Sequence, residues 1–221
     1  MIPIRDSNPT QRTPLVTKTL VVINVLVFLF TLLLPYSELR FFTQRYALIP
    51  AKISVGENLY TIISAMFLHG GLGHIFGNML FLWIFGDNVE DVLGHVKFLL
   101  FYLFCGFAGF LLQYVTDPFS TVPMLGASGS IAGVLGSYLV LYPNARVEVL
   151  IPFFFVFSRR MVPARFMLLY WIFFQFLHGL GSLGMMGGGV AYFAHIGGFA
   201  TGWALTRLFN WQPRNRDYWE W

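Results

Sequence analysis

Four polar side chains are notable because they lie in stretches that are otherwise almost free of charge. Ser128 lies in "GASGS", His195 in "AHIGGFATG", and His74 precedes Asn78 by four residues in "HGGLGHIFGNM". A serine hydroxyl becomes an effective nucleophile when a neighbouring base takes its proton, and a neutral histidine is such a base. A histidine and an asparagine on one helix face can donate hydrogen bonds to an oxyanion. These residue types predict acyl transfer at Ser128.

This set lacks the acidic member of a serine triad. The nearest carboxylates in sequence, Asp87 and Asp117, are expected at helix ends, so the sequence predicts a Ser–His dyad rather than a Ser–His–Asp triad. The backbone N–H of Ser128, at a helix start, is expected to join His74 and Asn78 in the oxyanion hole. Each residue alone is more commonly structural, so the hypothesis depends on their convergence.

The composition indicates a membrane protein. Of 221 residues, 57% are hydrophobic and only 11% are charged, whereas a soluble domain has about 25% charged residues. The net charge of +4 is interpreted as loop asymmetry rather than a nucleic-acid surface, because membrane proteins concentrate Lys and Arg on one side. The length fits one domain, and the single cysteine, Cys105, excludes an intrachain disulfide.

Uncharged stretches predict six membrane-spanning helices. The stretch 166–206 is too long for one span, which needs about 20 residues, and the glycines of "HGLGSLGMMGGG" are expected to divide it. The apolar segment 149–157 is too short to cross and is expected to be an interfacial or buried excursion. The predicted spans are residues 19–37, 70–86, 98–116, 128–143, 164–178 and 190–209. The predicted fold class is all-α, a polytopic bundle of six transmembrane helices.

Residues 19–210 form the predicted helical domain, between a cytoplasmic N-terminal tail at 1–18 and a cytoplasmic C-terminal tail at 211–221. An even number of spans places both termini on one side. With that side inside the cell, eleven of the 14 Lys and Arg residues lie on inner segments, in agreement with the positive-inside rule. We therefore expect a multi-pass protein of the cell (inner) membrane whose active site opens to the outer side.

The candidate residues are predicted to lie at one depth. Counted from the inner ends of their helices at about 1.5 Å per residue, His74, Ser128 and His195 lie roughly 18–22 Å above the inner boundary of a hydrocarbon core about 30 Å thick. Helix propensity alone does not place three polar residues at the same depth, so their common depth supports a shared site.

Glycines favour a close approach of two of these helices. The glycine pairs, each four residues apart, are Gly129 with Gly133 in span four and Gly198 with Gly202 in span six. Such pairs put bare backbone on one helix face. If the two faces meet, Ser128 and His195 come within hydrogen-bonding reach, and the small Gly126 leaves the serine accessible.

The three motifs resemble those of the rhomboid intramembrane serine proteases, with HxxxN in the second span, GxSG in the fourth and AHxxGxxxG in the sixth. The resemblance runs over roughly residues 15–210. It implies a six-helix core that hydrolyses peptide bonds in or near transmembrane helices of single-pass or polytopic membrane proteins. These substrates and membrane lipids are the expected partners, with no nucleic acid, cofactor or metal, and the oligomeric state is left open.

Carried over position by position, the resemblance makes Ser128 the nucleophile and His195 the general base. His74, Asn78 and Ser128 would form the oxyanion hole. The corresponding helix-packing glycines would be Gly126, Gly129, Gly133, Gly198 and Gly202.

Two departures from the family pattern bear on the site. Many members carry a Trp-Arg pair in the first outer loop, whereas residues 56–64 read "GENLYTIIS". Many members also place an aromatic residue four positions after the nucleophile, where it packs on the catalytic histidine. Here that position is Ala132, so we expect another group to hold the His195 ring.

Span five is rich in aromatic residues and is followed by the glycine-rich loop 178–189. The end of this helix and the loop are expected to form a gate and cap, and the alternative is a helix that simply faces lipid. His69 and His178 are expected to be structural. A metal site built from His69, His74 and His195 is disfavoured, because the sequence has no HExxH and no carboxylate at that level.

Other function classes stay open at this point. A membrane serine hydrolase of another substrate class is compatible with the same residues. A non-proteolytic rhomboid-like membrane-protein chaperone is disfavoured because both Ser128 and His195 are present. A transporter would be favoured by internal repeats, which the sequence does not show.

Overall fold

The computed structural model describes residues 1–153, 156–183 and 189–213, with side chains outside 152–157. The helices are α1 (Leu15–Leu32), α2 (Tyr36–Tyr46), α3 (Pro50–Ser54), α4 (Thr61–Ser64), α5 (Leu72–Leu93), α6 (His95–Thr116), α7 (Ser128–Leu141), α8 (Ala164–Ser182) and α9 (Tyr192–Leu208), and a 3-10 turn, Ala65–Phe67, follows α4. The strands are β1 (Ile2–Asp6), β2 (Arg146–Phe153) and β3 (Val156–Pro163). Part of the predicted cap, 184–188, and the end of the predicted C-terminal tail, 214–221, lie outside the described residues.

The prediction of a mostly helical membrane fold is confirmed. Within the described ranges, six helices have 14 residues or more, α1 and α5 to α9, and each overlaps one predicted span. α1 and α6 are each long and apolar enough to cross a bilayer. A third span is counted if α4 with its 3-10 turn and α5, which meet at 94°, form one broken span. The number of membrane crossings therefore stays a prediction.

α7 is the central helix of the bundle. Every residue from Gly129 to Tyr138 is buried, and α5, α6 and α9 pack around the helix. The closest approach is to α9, where Gly198 faces the carbonyl oxygen of Gly129 and Gly202 faces that of Gly133. A Cβ atom at either α9 position would overlap the facing carbonyl group, so only glycine permits this separation of the two helices.

A three-stranded antiparallel sheet, in the order β1-β2-β3, lies beside α5. The sequence analysis does not predict it. Of the segment expected as an excursion at 149–157, the residues up to Phe153 lie in β2, and Val156 and Phe157 lie in β3. The alternation in "RVEV", 146–149, is a strand signal. Val147 and Val149 are fully buried whereas Arg146 is exposed, so the missed signal was a short period-2 pattern beside a more conspicuous apolar run.

Two carboxylates at the end of α5 fix the start of α1. Glu90 accepts hydrogen bonds from the backbone N–H groups of Val16 and Thr17 at 2.8 and 2.7 Å, and Asp91 accepts those of Gln11 and Arg12 at 3.1 and 3.0 Å. The first N–H groups of a helix have no partner within the helix and attract negative charge. Because these acids are satisfied inside the protein, α5 continues to Leu93, past the predicted end of the span at 86.

Asp6 connects β1 to the helical bundle. Its Oδ2 atom accepts hydrogen bonds from the Tyr138 hydroxyl at 2.6 Å and from Asn88 Nδ2 at 3.1 Å. Burial raises the pKa of Asp6 from 3.8 to about 7, although the bond from Tyr138 opposes the rise. A group whose pKa rises on folding binds more protons in the folded state than in the unfolded state, within the interval between the two values.

This raised pKa predicts that the free energy of unfolding contributed by Asp6 falls as pH rises from about 4 to about 7. Asp6→Asn removes the titration, so the melting temperature of the variant should improve relative to the wild type across that interval. Thermal unfolding in detergent at pH 4 to 8 measures the difference. A wild-type-minus-variant difference that is constant with pH would contradict the prediction.

The glycine contact between α7 and α9 predicts a large effect of one added methyl group. Gly202→Ala should lower the free energy of unfolding by about 1–3 kcal/mol, because overpacking forces the helices apart. Gly77→Ala in α5 is the matched control, since a Cβ there meets nothing within 4 Å and alanine favours helix. Chemical unfolding in detergent would measure both variants, and equal effects would refute the packing explanation.

Candidate active site

Ser128 is the first residue of α7 and is half-buried. The loop that leads to it is attached to the first long loop of the chain. Met124 exchanges backbone hydrogen bonds with Leu48, and the Gly126 N–H donates to the Ala65 carbonyl oxygen at 2.9 Å. The position of the serine hydroxyl therefore depends on a loop that is hydrogen-bonded at Met124 and Gly126, rather than on a free helix end.

His195 lies in the first turn of α9 and is 8% exposed. It lies three residues before Gly198, the glycine that packs on Gly129 of α7. Ser128 precedes Gly129 by one residue. The backbone contact between the two helices therefore brings the predicted nucleophile and the predicted base to the same end of the bundle.

His74 and Asn78 of α5 lie against the loop before Ser128. A Cβ placed on Gly126 would be 2.7 Å from His74 Nε2 and 3.5 Å from Asn78 Nδ2. Gly126 also has a φ of +121°, a conformation that favours glycine. Two hydrogen-bond donors thus end beside the backbone two residues before Ser128, which is a suitable position for an oxyanion pocket.

Each of these two side chains has a partner that orients it. Asn78 Nδ2 is 2.9 Å from His69 Nε2, so one amide hydrogen is used there and the second is available to the site. The Gly70 N–H donates to His74 Nδ1 over 3.5 Å, which favours the tautomer with its proton on Nε2. The expectation of a structural role for His69 agrees with this contact.

The His195 ring is held by α8. Its Nδ1 atom is 2.7 Å from Gln175 Oε1, and the Trp171 ring lies with its centroid 5.7 Å away at an angle of 32°. These two side chains are one helical turn apart on α8. Ala132, where many family members carry an aromatic residue, is fully buried in α7. The expected substitute for that aromatic residue is therefore a tryptophan and an amide from a different helix.

Sequence reasoning named neither Gln175 nor the role of Trp171. The sequence analysis predicts an aromatic gate in span five and assigns no role to the one amide of this apolar helix. A polar side chain in such a helix commonly hydrogen-bonds to a neighbouring helix, so Gln175 carried a usable signal. His178, expected to be structural, stacks on Tyr192 with ring centroids 5.5 Å apart.

A cavity of about 50 Å³ adjoins the candidate nucleophile. Its lining includes Ser128, Gly126, Met66, Gly106 and Ala194. This volume is enough for at least one water molecule, and hydrolysis of an acyl group requires one. In the described part of the chain, no group of three His, Cys, Asp or Glu side chains is arranged to hold a metal ion.

The fold and these residues define a multi-pass helical membrane protein with a serine and a histidine on adjoining helices. The sequence profile of the rhomboid domain matches residues 56–212. The chain therefore belongs to the rhomboid family.

Similarity to individual proteins supports the same assignment. The chain is 33% identical to RHOMBOID-like protein 4 of Arabidopsis thaliana, over 70% of this chain and 35% of that protein. It is 29% identical to the mitochondrial Rhomboid protein 1 of Saccharomyces cerevisiae, over 79% and 49%. It is 39% identical to the Rhomboid protease GluP of Bacillus subtilis, over 39% and 16%. The matched part of each relative is thus at most about half of that protein.

The backbone at Gly126 predicts a specific effect on the reactivity of Ser128. Gly126→Ala places a Cβ against His74 Nε2 in a strained conformation, so modification of Ser128 by a fluorophosphonate should slow by about 10-fold or more, since loss of a single oxyanion donor costs 10²–10³. Gly73→Ala, one residue before His74 and with open space around its Cβ, is the control and should react normally. Equal labelling rates for the two variants would contradict the assignment.

Proposed function

We propose that the protein is an intramembrane serine endopeptidase that hydrolyses peptide bonds in or near membrane-spanning helices of other membrane proteins. The observation that carries the proposal is the meeting of α7 and α9 at glycine, with Ser128 and His195 at the same end of the contact. Membership of the rhomboid family and the similarity to the Rhomboid protease GluP support it.

In the proposed reaction, the Ser128 hydroxyl oxygen attacks the substrate carbonyl carbon and its proton passes to His195 Nε2. The oxyanion accepts hydrogen bonds from His74 Nε2–H, from the free hydrogen of Asn78 Nδ2 and from the Ser128 backbone N–H. The C–N bond then breaks as His195 returns the proton to the leaving amine. A water molecule, activated by the same histidine, hydrolyses the acyl-enzyme.

Substrate entry is proposed from the side, past α8. The outward side chains Phe173 and Phe176 are about half exposed, as expected for a helix that faces lipid or a substrate helix. Towards α5, the Phe81 and Trp171 rings meet with centroids 6.4 Å apart. An apolar seam of this kind can open without breaking charge pairs, which agrees with the expected gating role of span five.

The proposed topology has both termini in the cytoplasm and the site opening to the outer side of the cell (inner) membrane. The excess of Lys and Arg on the segments assigned to the inside supports this orientation. The two tails, at 1–18 and 211–221, would then be cytoplasmic. Membrane-protein substrates and lipids are the proposed partners, and no cofactor is invoked.

Cleavage of a single-span model substrate by the purified protein in lipid vesicles tests the proposal. The wild type should cut, and Ser128→Ala and His195→Ala should lose at least about 10³-fold in rate, because removal of either member of such a pair leaves only residual catalysis. Ser130→Ala is the matched control: Ser130 lies two residues from Ser128 and hydrogen-bonds to Met66 Sδ at 3.7 Å, so its loss should leave cleavage near the wild-type rate.

The other function classes give different results in the same assay. Cleavage that persists in Ser128→Ala would make the serine structural and reject the proposal. Hydrolysis of lipid or thioester substrates, without peptide cleavage, would identify a serine hydrolase of another substrate class. A wild type that neither cuts nor reacts with a fluorophosphonate at Ser128 would favour a non-proteolytic chaperone.

A further inference from the structure

The base of the proposed dyad is held by a helix that carries neither member of the dyad. His195 belongs to α9 and Ser128 to α7, whereas the Nδ1 atom of His195 lies 2.7 Å from Oε1 of Gln175 on α8. Gln175 is half-buried and His195 almost fully buried. This bond therefore lies largely out of water, where a hydrogen bond is electrostatically stronger than at the surface.

We infer that Gln175 is the positioning residue of the site, forming a Ser128–His195–Gln175 series in which an amide stands where serine triads carry a carboxylate. The inference rests on the proposed function and deepens it. An amide oxygen only accepts hydrogen bonds, so its contact requires a proton on Nδ1. The other nitrogen, Nε2, is then unprotonated and able to take the proton of the Ser128 hydroxyl.

Trp171 completes the support of the imidazole. Its ring flanks His195 at 5.7 Å and 32°, and the Tyr192 ring meets His195 edge-on at 6.4 Å. Two flanking rings and one hydrogen bond restrict both rotation of the imidazole about its bond to the backbone and its tautomer. Ala132 provides no ring, so orientation of the base depends on α8.

The docking of α8 on α9 preserves this support. Gly179 of α8 lies against Tyr192, with 3.3 Å from the position of its Cβ to the Tyr192 Cβ. His178 stacks on the same tyrosine. Because Gln175 and these contacts are on one helix, displacement of α8 from α9 breaks the Gln175 bond. The base is therefore oriented only when α8 is docked.

Two substitutions at Gln175 separate positioning from packing. Gln175→Met keeps the size and removes the acceptor, and kcat should fall about 10–100-fold with KM nearly unchanged, because the wrong tautomer of a catalytic histidine is costly. Gln175→Glu keeps the acceptor and adds a charge. At the pH optimum of this variant, kcat should stay within about 10-fold of the wild-type value. The acidic limb of its pH–rate profile should move upward by about 1 pH unit or more, because a neighbouring carboxylate favours the imidazolium.

The groups that face His195 from each element bear on this pH profile. His74 on α5 interacts with it electrostatically, Tyr192 is on its own helix, and His178 of α8 stacks on that tyrosine. Helix α7 contributes Ser128, the other member of the proposed dyad. All of these stay the same in the Gln175 variants, so a shift of the profile reports on position 175.

Gln113→Met is the matched control. Gln113 Oε1 accepts the backbone N–H of Phe193 at 3.0 Å, two residues from His195, so the variant loses an amide acceptor on α9 without touching the imidazole. It should lower the melting temperature and leave kcat and the pH profile at wild-type values. Wild-type kcat and pH profile in Gln175→Met, or the same profile in all three variants, would overturn the inference.

The test also distinguishes this inference from the proposed function. Peptide cleavage by the wild type reports on the function, and the variants report on Gln175. If the wild type does not cleave the substrate, the rate of Ser128 labelling by a fluorophosphonate and its pH dependence replace kcat. Slower labelling in Gln175→Met with recovery in Gln175→Glu supports the positioning role, and equal labelling in both rejects it.

Discussion

The backbone contact between α7 and α9 is the constraint on which the rest of the structure depends. In a membrane, apolar side chains gain little by leaving lipid for protein, so helices associate through close van der Waals packing. Here the packing unit is a carbonyl group of one helix against a bare Cα of the other, at Gly129 with Gly198 and at Gly133 with Gly202. The Gly129–Gly198 contact keeps Ser128 and His195 near each other, because each residue lies within one helical turn of it. The proposed nucleophile and base are therefore positioned by backbone, which has no rotamers, and only their final orientation depends on side-chain partners.

The groups that orient His195, Asn78 and His74 are uncharged, because burying a charge inside the bundle is costly. His195 is oriented by the amide of Gln175, Asn78 by His69, and His74 by a backbone N–H. A carboxylate beside His195 would stabilise the imidazolium of the proposed mechanism, but it would also have to be buried as a charge, at a cost of several kcal/mol. An amide fixes the tautomer without that cost and gives less stabilisation of the imidazolium. The carboxylates of α5, in contrast, lie at its far end, where Glu90 meets a helix N-terminus that provides two N–H donors.

The sequence was sufficient to predict the helices and to select the four polar residues as site candidates, because both are visible as local patterns. Long uncharged stretches locate helices, and the depth of a residue follows from counting along its own helix. Ala132 even revealed that a support for His195 was needed elsewhere. The identity of that support was not visible, because Gln175 is 20 residues from His195 in sequence and the rotation of α8 about its axis is decided by packing. The sheet was missed for the opposite reason: its signal was local, in the alternation at 146–149, but short beside a strongly apolar run.

If Gln175 positions His195, then movement of α8 affects the base as well as the entry of substrate. If α8 moves outward to admit a substrate, as proposed, the same movement separates Gln175 and Trp171 from His195. An open site then lacks an oriented base, and the base is restored when α8 returns. Entry and chemistry are thereby separated in time, and the reactive serine is not activated while the site is open to lipid. A substrate helix that keeps α8 displaced would bind without being cut, whereas one that unwinds near the cut and lets α8 close would be hydrolysed. Selectivity for weak helices then arises from the position of one amide, in addition to any preference for particular side chains.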